Sequence, residues 1–175
     1  MKKLLLPLLI TSSIFASDIN LEITNTTLAG NINLNLPKAE NFQVRGTYLY
    51  NDNENKNNYY SIGFGAIGEN ALDNYNSKLT LFIDYTHTKD NSALPIGIGL
   101  FNNNFGNFQY PLFAKAEIAY APQVLSFDEA NKFLKAKVEF GLKPIQNAKT
   151  FIGWKTISFD NNYLSVVYAG IGFVF

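Results

Sequence analysis

Apolar and polar positions alternate with a period of two along most of this chain. Over residues 42–50 the even-numbered positions carry Phe, Val, Gly, Tyr and Tyr, and three of the four odd-numbered positions carry Gln, Arg and Thr. The same alternation recurs over residues 60–66, 78–85, 114–120 and 134–140. Beyond the N-terminal segment no stretch keeps a helical period. A period of two is typical of β-strands with one apolar face, so the sequence predicts an all-β fold.

Clusters rich in Asn, Asp, Ser and Pro separate these runs and mark the turns. They lie at residues 51–58, 69–77, 89–95, 143–147 and 160–162. Candidate strands therefore recur about every 12 to 20 residues, which is typical of an all-β meander. We expect about nine or ten strands between Asp18 and Phe175, forming one domain over residues 17–175. At its start, residues 25–27 are expected to form a hairpin turn or a bulge.

Apolar and polar positions alternate in a soluble β-sandwich as well as in a membrane barrel. The residue content of the two strand faces is what distinguishes these folds. A small membrane barrel has an apolar outer band, aromatic girdles and a polar interior. Here the polar faces carry sparse charges of both signs, and the apolar faces end in aromatic residues: Tyr48, Tyr50, Tyr59, Tyr60, Tyr85, Phe101, Tyr110, Tyr120, Phe140, Phe173 and Phe175. We therefore predict a closed antiparallel transmembrane β-barrel, with a soluble β-domain as the alternative.

Closure follows from the lipid environment, where every backbone donor and acceptor must be paired and no strand edge remains open. An even strand number follows if both termini lie on the same side of the membrane. The pattern is compatible with ten strands, or with eight if the N-terminal pair and one short segment are not barrel strands. Either barrel is narrow enough for side chains to fill its interior.

The first 16 residues have the three parts of a cleavable signal peptide. Lys2 and Lys3 precede the apolar residues 4–10, and Ile-Phe-Ala at residues 14–16 forms a cleavage site before Ser17. The apolar run is interrupted by Pro7 and is short for a membrane-spanning helix, although an uncleaved anchor is the alternative. We predict a signal peptide over residues 1–16 and export through the inner membrane to the outer membrane.

Charge and cysteine content exclude several classes of partner. Without Lys2 and Lys3 the chain has 12 basic and 14 acidic residues, which argues against a nucleic-acid partner because such binding requires a basic surface. Cysteine is absent, so neither a disulfide framework nor a thiolate metal site is expected.

The C-terminal half contains a specific series of short motifs. They are Glu117, Tyr-Ala-Pro at residues 120–122, Leu-Ser-Phe at 125–127, Gly-Trp-Lys at 153–155 and Tyr-x-Gly-x-x-Phe-x-Phe at 168–175. With a looser match over residues 46–65, this series resembles the YfaZ family of predicted outer-membrane proteins, although Lys155 stands where that family often has arginine. The resemblance implies an outer-membrane barrel surrounded by lipid, with no established biochemical activity. It also implies that Tyr168, Phe173 and Phe175 form a C-terminal signal for the outer-membrane barrel assembly machinery.

No group of residues predicts catalysis, a cofactor or a metal. His87 is the only histidine, and the neighbouring Thr86 and Thr88 lie on the opposite strand face, so a nucleophile–base pair is not indicated. The acidic pair Asp128–Glu129 lies in a turn and is expected to be solvated. The glycine-rich segments at 61–68 and 95–100 do not precede helices, so they are not phosphate-binding loops. We predict no catalytic, cofactor-binding or metal-binding residues, and no enzymatic activity.

The charged residues on the polar strand faces are the candidate functional residues. We predict that they form a polar network in the lumen: Arg45, Asp84, Lys115, Glu117, Lys135, Lys137, Glu139 and Lys155. Buried charges must be paired, so the first hypothesis is a small outer-membrane barrel with a filled lumen and a structural or surface-interaction role, most simply as a monomer. The alternatives are a narrow channel for small solutes and a membrane-embedded hydrolase.

Overall fold

The computed structural model describes residues 17–36, 39–52, 58–69, 77–103, 110–160 and 162–175. The predicted signal peptide, residues 1–16, lies outside the described residues, as do parts of the predicted turns at 51–58, 69–77 and 160–162. Nearly all of the described chain is β-strand, which confirms the predicted fold class.

Ten long strands form a closed antiparallel barrel. They are β1 (Ser17–Ile23), β2 (Thr27–Leu36), β3 (Ala39–Asn51), β4 (Tyr59–Glu69), β5 (Ser77–His87), β7 (Ile96–Asn103), β8 (Leu112–Ala121), β10 (Phe133–Ile145), β11 (Ala148–Phe159) and β12 (Asn162–Val174). Each pairs with its neighbour along the chain, and β1 pairs with β12 to close the ring. The strand number is therefore ten and not eight. The residues between β1 and β2 form a hairpin turn, in which the Thr24 hydroxyl accepts from the backbone N–H groups of Thr26 and Thr27.

Two short strands, β6 (Asn91–Ala93) and β9 (Ser126–Asp128), add to one end of the barrel. β6 pairs with the end of β5 and also with β9. A turn of 3-10 helix (Gln123–Leu125) leads into β9. Periodicity did not predict these elements, because three residues are too few to show an alternation. No helix among the described residues is long and apolar enough to cross a membrane.

Because neighbouring strands run in opposite directions, successive connections lie at alternate ends of the barrel. We call the end that holds Ser17 and Phe175 the terminal end, and the opposite end the loop end. The last residue of β3, the first residue of β4, β6 and β9 all lie at the loop end. The loops at residues 89–95 and 122–132 therefore lie on one face of the molecule, together with the adjoining ends of β3 and β4.

Side chains alternate between the outside and the inside of the barrel wall, as the sequence predicted. Ile62 and Phe64 on β4 are more than half exposed, whereas Ser61 is buried inside. Six exposed tyrosines lie near the loop end: Tyr48, Tyr50, Tyr60, Tyr85, Tyr120 and Tyr163. The exposed Tyr110 precedes β8 at the terminal end. Two aromatic residues assigned to the outer face point inward instead. Tyr59 is buried against Phe133, and Phe101 packs on Phe113.

The last strand follows the same alternation between its two faces. Val167, Ile171 and Phe173 are exposed on the outside, and Tyr168 is buried inside. Gly172 leaves room for the side chain of Lys149, since a Cβ there would lie 2.5 Å from the lysine Cε. Gly170 leaves room for the ring of Phe151.

The assembly role of this strand remains a prediction that a substitution can test. We expect Phe175→Ala to reduce the amount of barrel in the outer-membrane fraction while export stays intact, because the exposed ring would no longer be available to the assembly machinery. Fractionation followed by gels of unboiled and boiled samples measures both quantities. Phe127→Ala, an exposed loop-end phenylalanine, serves as the matched control. Normal assembly of the Phe175 variant would contradict the C-terminal signal.

Candidate functional site

The lumen contains a high density of charged side chains. All eight residues of the predicted network lie on inward-facing positions, and all except Lys115 are buried: Arg45, Asp84, Lys115, Glu117, Lys135, Lys137, Glu139 and Lys155. They come from five strands, β3, β5, β8, β10 and β11. The structure brings them together as two groups.

The first group, which we call the Arg45 cluster, crosses the lumen. The Arg45 guanidinium on β3 lies 3.2 Å from Glu117 on β8, and these strands are four positions apart around the ten-stranded ring. Arg45 also lies 3.6 Å from Asp84 on β5 and stacks on the Phe82 ring, 3.8 Å from its centroid. Lys115 reaches the same Glu117 oxygen at 3.1 Å. The chain's only arginine therefore ties almost opposite walls of the barrel together.

Lys135 belongs to the Arg45 cluster by position but not by direct contact. It is buried, and no carboxylate of a described residue forms an ion pair with it. Its ammonium group is attracted over a longer distance by Glu117 and Asp84. The cluster thus contains a buried cation whose compensation is indirect.

The second group, which we call the Glu22 cluster, is organised by an acidic residue that the sequence analysis did not select. Glu22 on β1 accepts from Lys137 at 2.6 Å, from Lys155 at 2.8 Å and from the Asn31 side chain at 2.6 Å. Lys137 also lies 3.0 Å from Glu139. Residues on β1, β2, β10 and β11 therefore meet at one carboxylate.

Tyr168 completes the Glu22 cluster from β12. Its hydroxyl donates to Glu139 at 3.0 Å, and its ring lies beneath Lys155, with the ammonium 5.0 Å from the ring centroid. This residue was selected only as part of the C-terminal assembly signal. Phe173 and Phe175 point outward, so the structure places the three members of that signal on opposite faces of the wall.

An apolar cluster fills the loop end of the lumen. It comprises Ala29, Leu49, Tyr59, Ala93, Ala121, Ala130, Phe133, Ile157 and Phe159, with Leu125 and Leu164 packed against them. At its centre Phe133 is stacked on Tyr59 and meets the edge of Phe159 at 4.6 Å between centroids. Ala93 of β6 is fully buried within it. The loop end is therefore closed by side chains and by the inward-folded β6 segment.

The terminal end contains an open cavity of about 270 Å³, which we call the vestibule. Its lining includes Arg45 and Glu117, so it extends inward as far as the Arg45 cluster. Nearer the terminal end it is lined by Asp18, Lys143 and Lys149. From the terminal end inward, the lumen thus changes from an open cavity to buried ion pairs, and it is closed at the loop end by apolar packing.

His87 has a hydroxyl partner that the sequence analysis missed. Its Nδ1 lies 2.7 Å from the Ser92 hydroxyl, and that hydroxyl donates to Asp128 at 2.6 Å. Ser92 has one hydroxyl hydrogen, so His87 is the donor in the first of these bonds. In this arrangement His87 does not accept the serine proton, and the two bonds connect β5, β6 and β9. Among the described residues no three His, Cys, Asp or Glu side chains are grouped to hold a metal ion.

Of the comparisons with known proteins, the one with solved structures supports the architecture. No family model matches the sequence, and no curated protein matches it significantly, so the YfaZ resemblance remains a prediction. Among solved structures, the chain is similar to a KdgM porin, with a TM-score of 0.52 and 8% identity over 91% of this chain and 99% of that one. It is also similar to a KdgM porin in complex with disordered oligogalacturonate, with a TM-score of 0.51, 10% identity and the same coverage. The chain therefore has a porin-like β-barrel fold.

Proposed function

We propose that this protein is a narrow outer-membrane channel for small solutes, closed at its loop end in the conformation described. The vestibule is the observation that carries the proposal: it opens at the terminal end and leads to charged groups that span the lumen. A purely structural barrel needs no such cavity. The porin-like fold supports the same proposal.

The outer surface supports an outer-membrane location. Large apolar side chains on every barrel strand are exposed, and tyrosines are concentrated towards the loop end. Such a surface suits lipid, and tyrosine is favoured where lipid meets water. Outer-membrane lipids and the barrel assembly machinery are accordingly its expected partners, with the monomer as the simplest state.

Two barriers would set the conductance of such a channel. The first is the Arg45–Glu117 ion pair, which crosses the lumen next to the vestibule. The apolar cluster beyond it excludes water, as hydrophobic constrictions do in other channels. Conduction therefore requires that β6 and its neighbours move, or that a narrow path for the solute remains between their side chains.

A filled, surface-interacting barrel is the second candidate, and the apolar cluster is the observation that favours it. Phe133 and Ala93 have no solvent exposure, so the loop end is packed as tightly as a protein core. The loops at residues 89–95 and 122–132 then present a fixed surface at that end. In this case the charged clusters stabilise the barrel and no solute passes.

Neither candidate involves catalysis. The hydrogen bonds of His87 and Ser92 serve to connect β5, β6 and β9, as described above. A lipid-release assay with the refolded protein and with His87→Ala tests the hydrolase alternative. Lipid release by the unchanged protein that is lost in His87→Ala would support the hydrolase alternative.

Planar-bilayer recordings decide between the channel and the filled barrel. We expect unitary openings from the refolded protein, and we expect Arg45→Gln to increase their conductance severalfold, because the side chain no longer crosses to Glu117. Lys132→Gln, which alters an exposed lysine at the loop end, should leave the conductance unchanged. Heat-modifiable gel migration shows that each variant is folded. An electrically silent, folded protein, with Arg45→Gln equally silent, would exclude the channel.

A further inference from the structure

The vestibule is surrounded by an excess of positive charge. Five cationic and two acidic side chains line it: Arg45, Lys78, Lys115, Lys143 and Lys149, with Asp18 and Glu117. From this excess we infer that the vestibule binds a small anion bearing a carboxylate or a phosphate group, which enters from the terminal end. This inference rests on the proposed function, since the vestibule is the mouth of the proposed channel.

Most of these cations already have a carboxylate partner within the barrel. Lys149 lies 2.7 Å from Asp18, and Lys115 shares Glu117 with Arg45. Lys78 pairs with Glu69 at the exposed rim, where a salt bridge contributes little binding energy. These carboxylates neutralise the deeper cations. The positive charge that remains unpaired therefore lies nearer the opening.

Of the five cations that line the vestibule, Lys143 is the one without a carboxylate partner among the described residues. Its ammonium donates to the amide oxygen of Asn103 at 2.6 Å and lies 5.9 Å from the centroid of the Phe101 ring. The side chain is about half-buried. A partly desolvated ammonium with one neutral acceptor retains two unused N–H donors, which an anionic oxygen can accept. We place the anion beside Lys143 for this reason.

The size of the cavity limits the ligand. A volume of about 270 Å³ holds roughly nine water molecules at the density of the liquid. That is enough for inorganic phosphate or a small dicarboxylate together with part of its hydration shell. Phe101 forms an apolar part of the wall and suits an anion with a short carbon skeleton.

An NMR titration tests the inference with defined probes. Sodium phosphate and sodium succinate are added separately to the full-length mature barrel in detergent micelles, and the amide signals of Asn103 and Lys143 are followed. We expect saturable shifts with at least one anion and none with glycerol, which is neutral. Lys143→Gln should weaken the affinity about tenfold, because a charge-assisted hydrogen bond is lost, whereas Lys143→Arg should largely retain it. A response to one anion alone identifies which of the two groups the vestibule accepts.

A matched control removes the same charge from the opposite end of the barrel. Lys89 is exposed at the loop end, and Lys89→Gln should bind the anion as the unchanged protein does. Absence of saturation with both anions, or equal weakening by Lys89→Gln, overturns the inference. Binding without conductance leaves the site standing and removes the channel, whereas conductance without anion binding removes only the site.

Discussion

Replacing Glu22 with glutamine is expected to destabilise the barrel by about 3–5 kcal/mol, the usual cost of removing one partner from a buried ion pair. Glutamine keeps the shape of the side chain but removes the charge that faces Lys137 and Lys155. Both lysines are buried, so Lys155 would keep its charge without an ion-pair partner among the described residues, and Lys137 would keep only Glu139. Asn31, which donates to the same carboxylate, would lose a strong acceptor as well.

Urea unfolding of the protein refolded in lipid vesicles measures this loss. Trp154 is the only tryptophan and is exposed on the outer face of the wall, so in the vesicle-refolded protein its fluorescence reports the transfer of β11 out of the lipid. The matched control is Glu69→Gln, which removes an acid of the same type from an exposed pair with Lys78. We expect little change in that variant because water solvates both groups. Equal stability of the Glu22 and Glu69 variants would mean that water penetrates the Glu22 cluster.

Glu22 also shows what sequence periodicity can predict about a residue and what it cannot. Alternation with a period of two assigns a residue to a face of the wall, and it placed all eight selected charges inside. The same rule applies to β1, where Glu22 alternates with Leu21 and Ile23. Its position as the centre of a cluster depends on the closure of β1 against β12, which brings β10 and β11 near. Closure joins residues more than a hundred positions apart, and no local pattern records it.

Periodicity also does not predict where along the barrel axis a residue lies. Leu49, Phe133 and Ile157 occupy inward positions, as the polar residues of the same strands do, yet they fill the loop end with apolar packing. What gathers them there is their shared distance from the loop-end turns. The contact between Ser92 and Asp128 has the same origin, since β6 and β9 are brought together by the barrel strands that carry them.

Truncating Phe133 to alanine is expected to lower stability by about 3–5 kcal/mol, as large-to-small substitutions in close-packed cores do. Phe133 has no solvent exposure and contacts both Tyr59 and Phe159, so the neighbours cannot fill the space without moving β4 or β11. The same vacancy lies in the apolar barrier of the proposed channel. We therefore expect a second effect in bilayer recordings, namely a larger conductance or a higher open probability.

The changes in stability and in conductance together distinguish a packing role of Phe133 from a role in gating the channel. Phe127→Ala removes an identical ring from the exposed surface of β9 and should change neither stability nor conductance appreciably. If Phe133→Ala is destabilised but conducts as the unchanged protein does, the apolar cluster is a structural core and the path, if there is one, passes elsewhere. If conductance rises while the charged clusters stay intact, the loop end is the dominant barrier, because the Arg45–Glu117 pair alone then fails to block the lumen. Combining Phe133→Ala with Arg45→Gln completes the comparison: barriers arranged in series predict a conductance above that of either single variant.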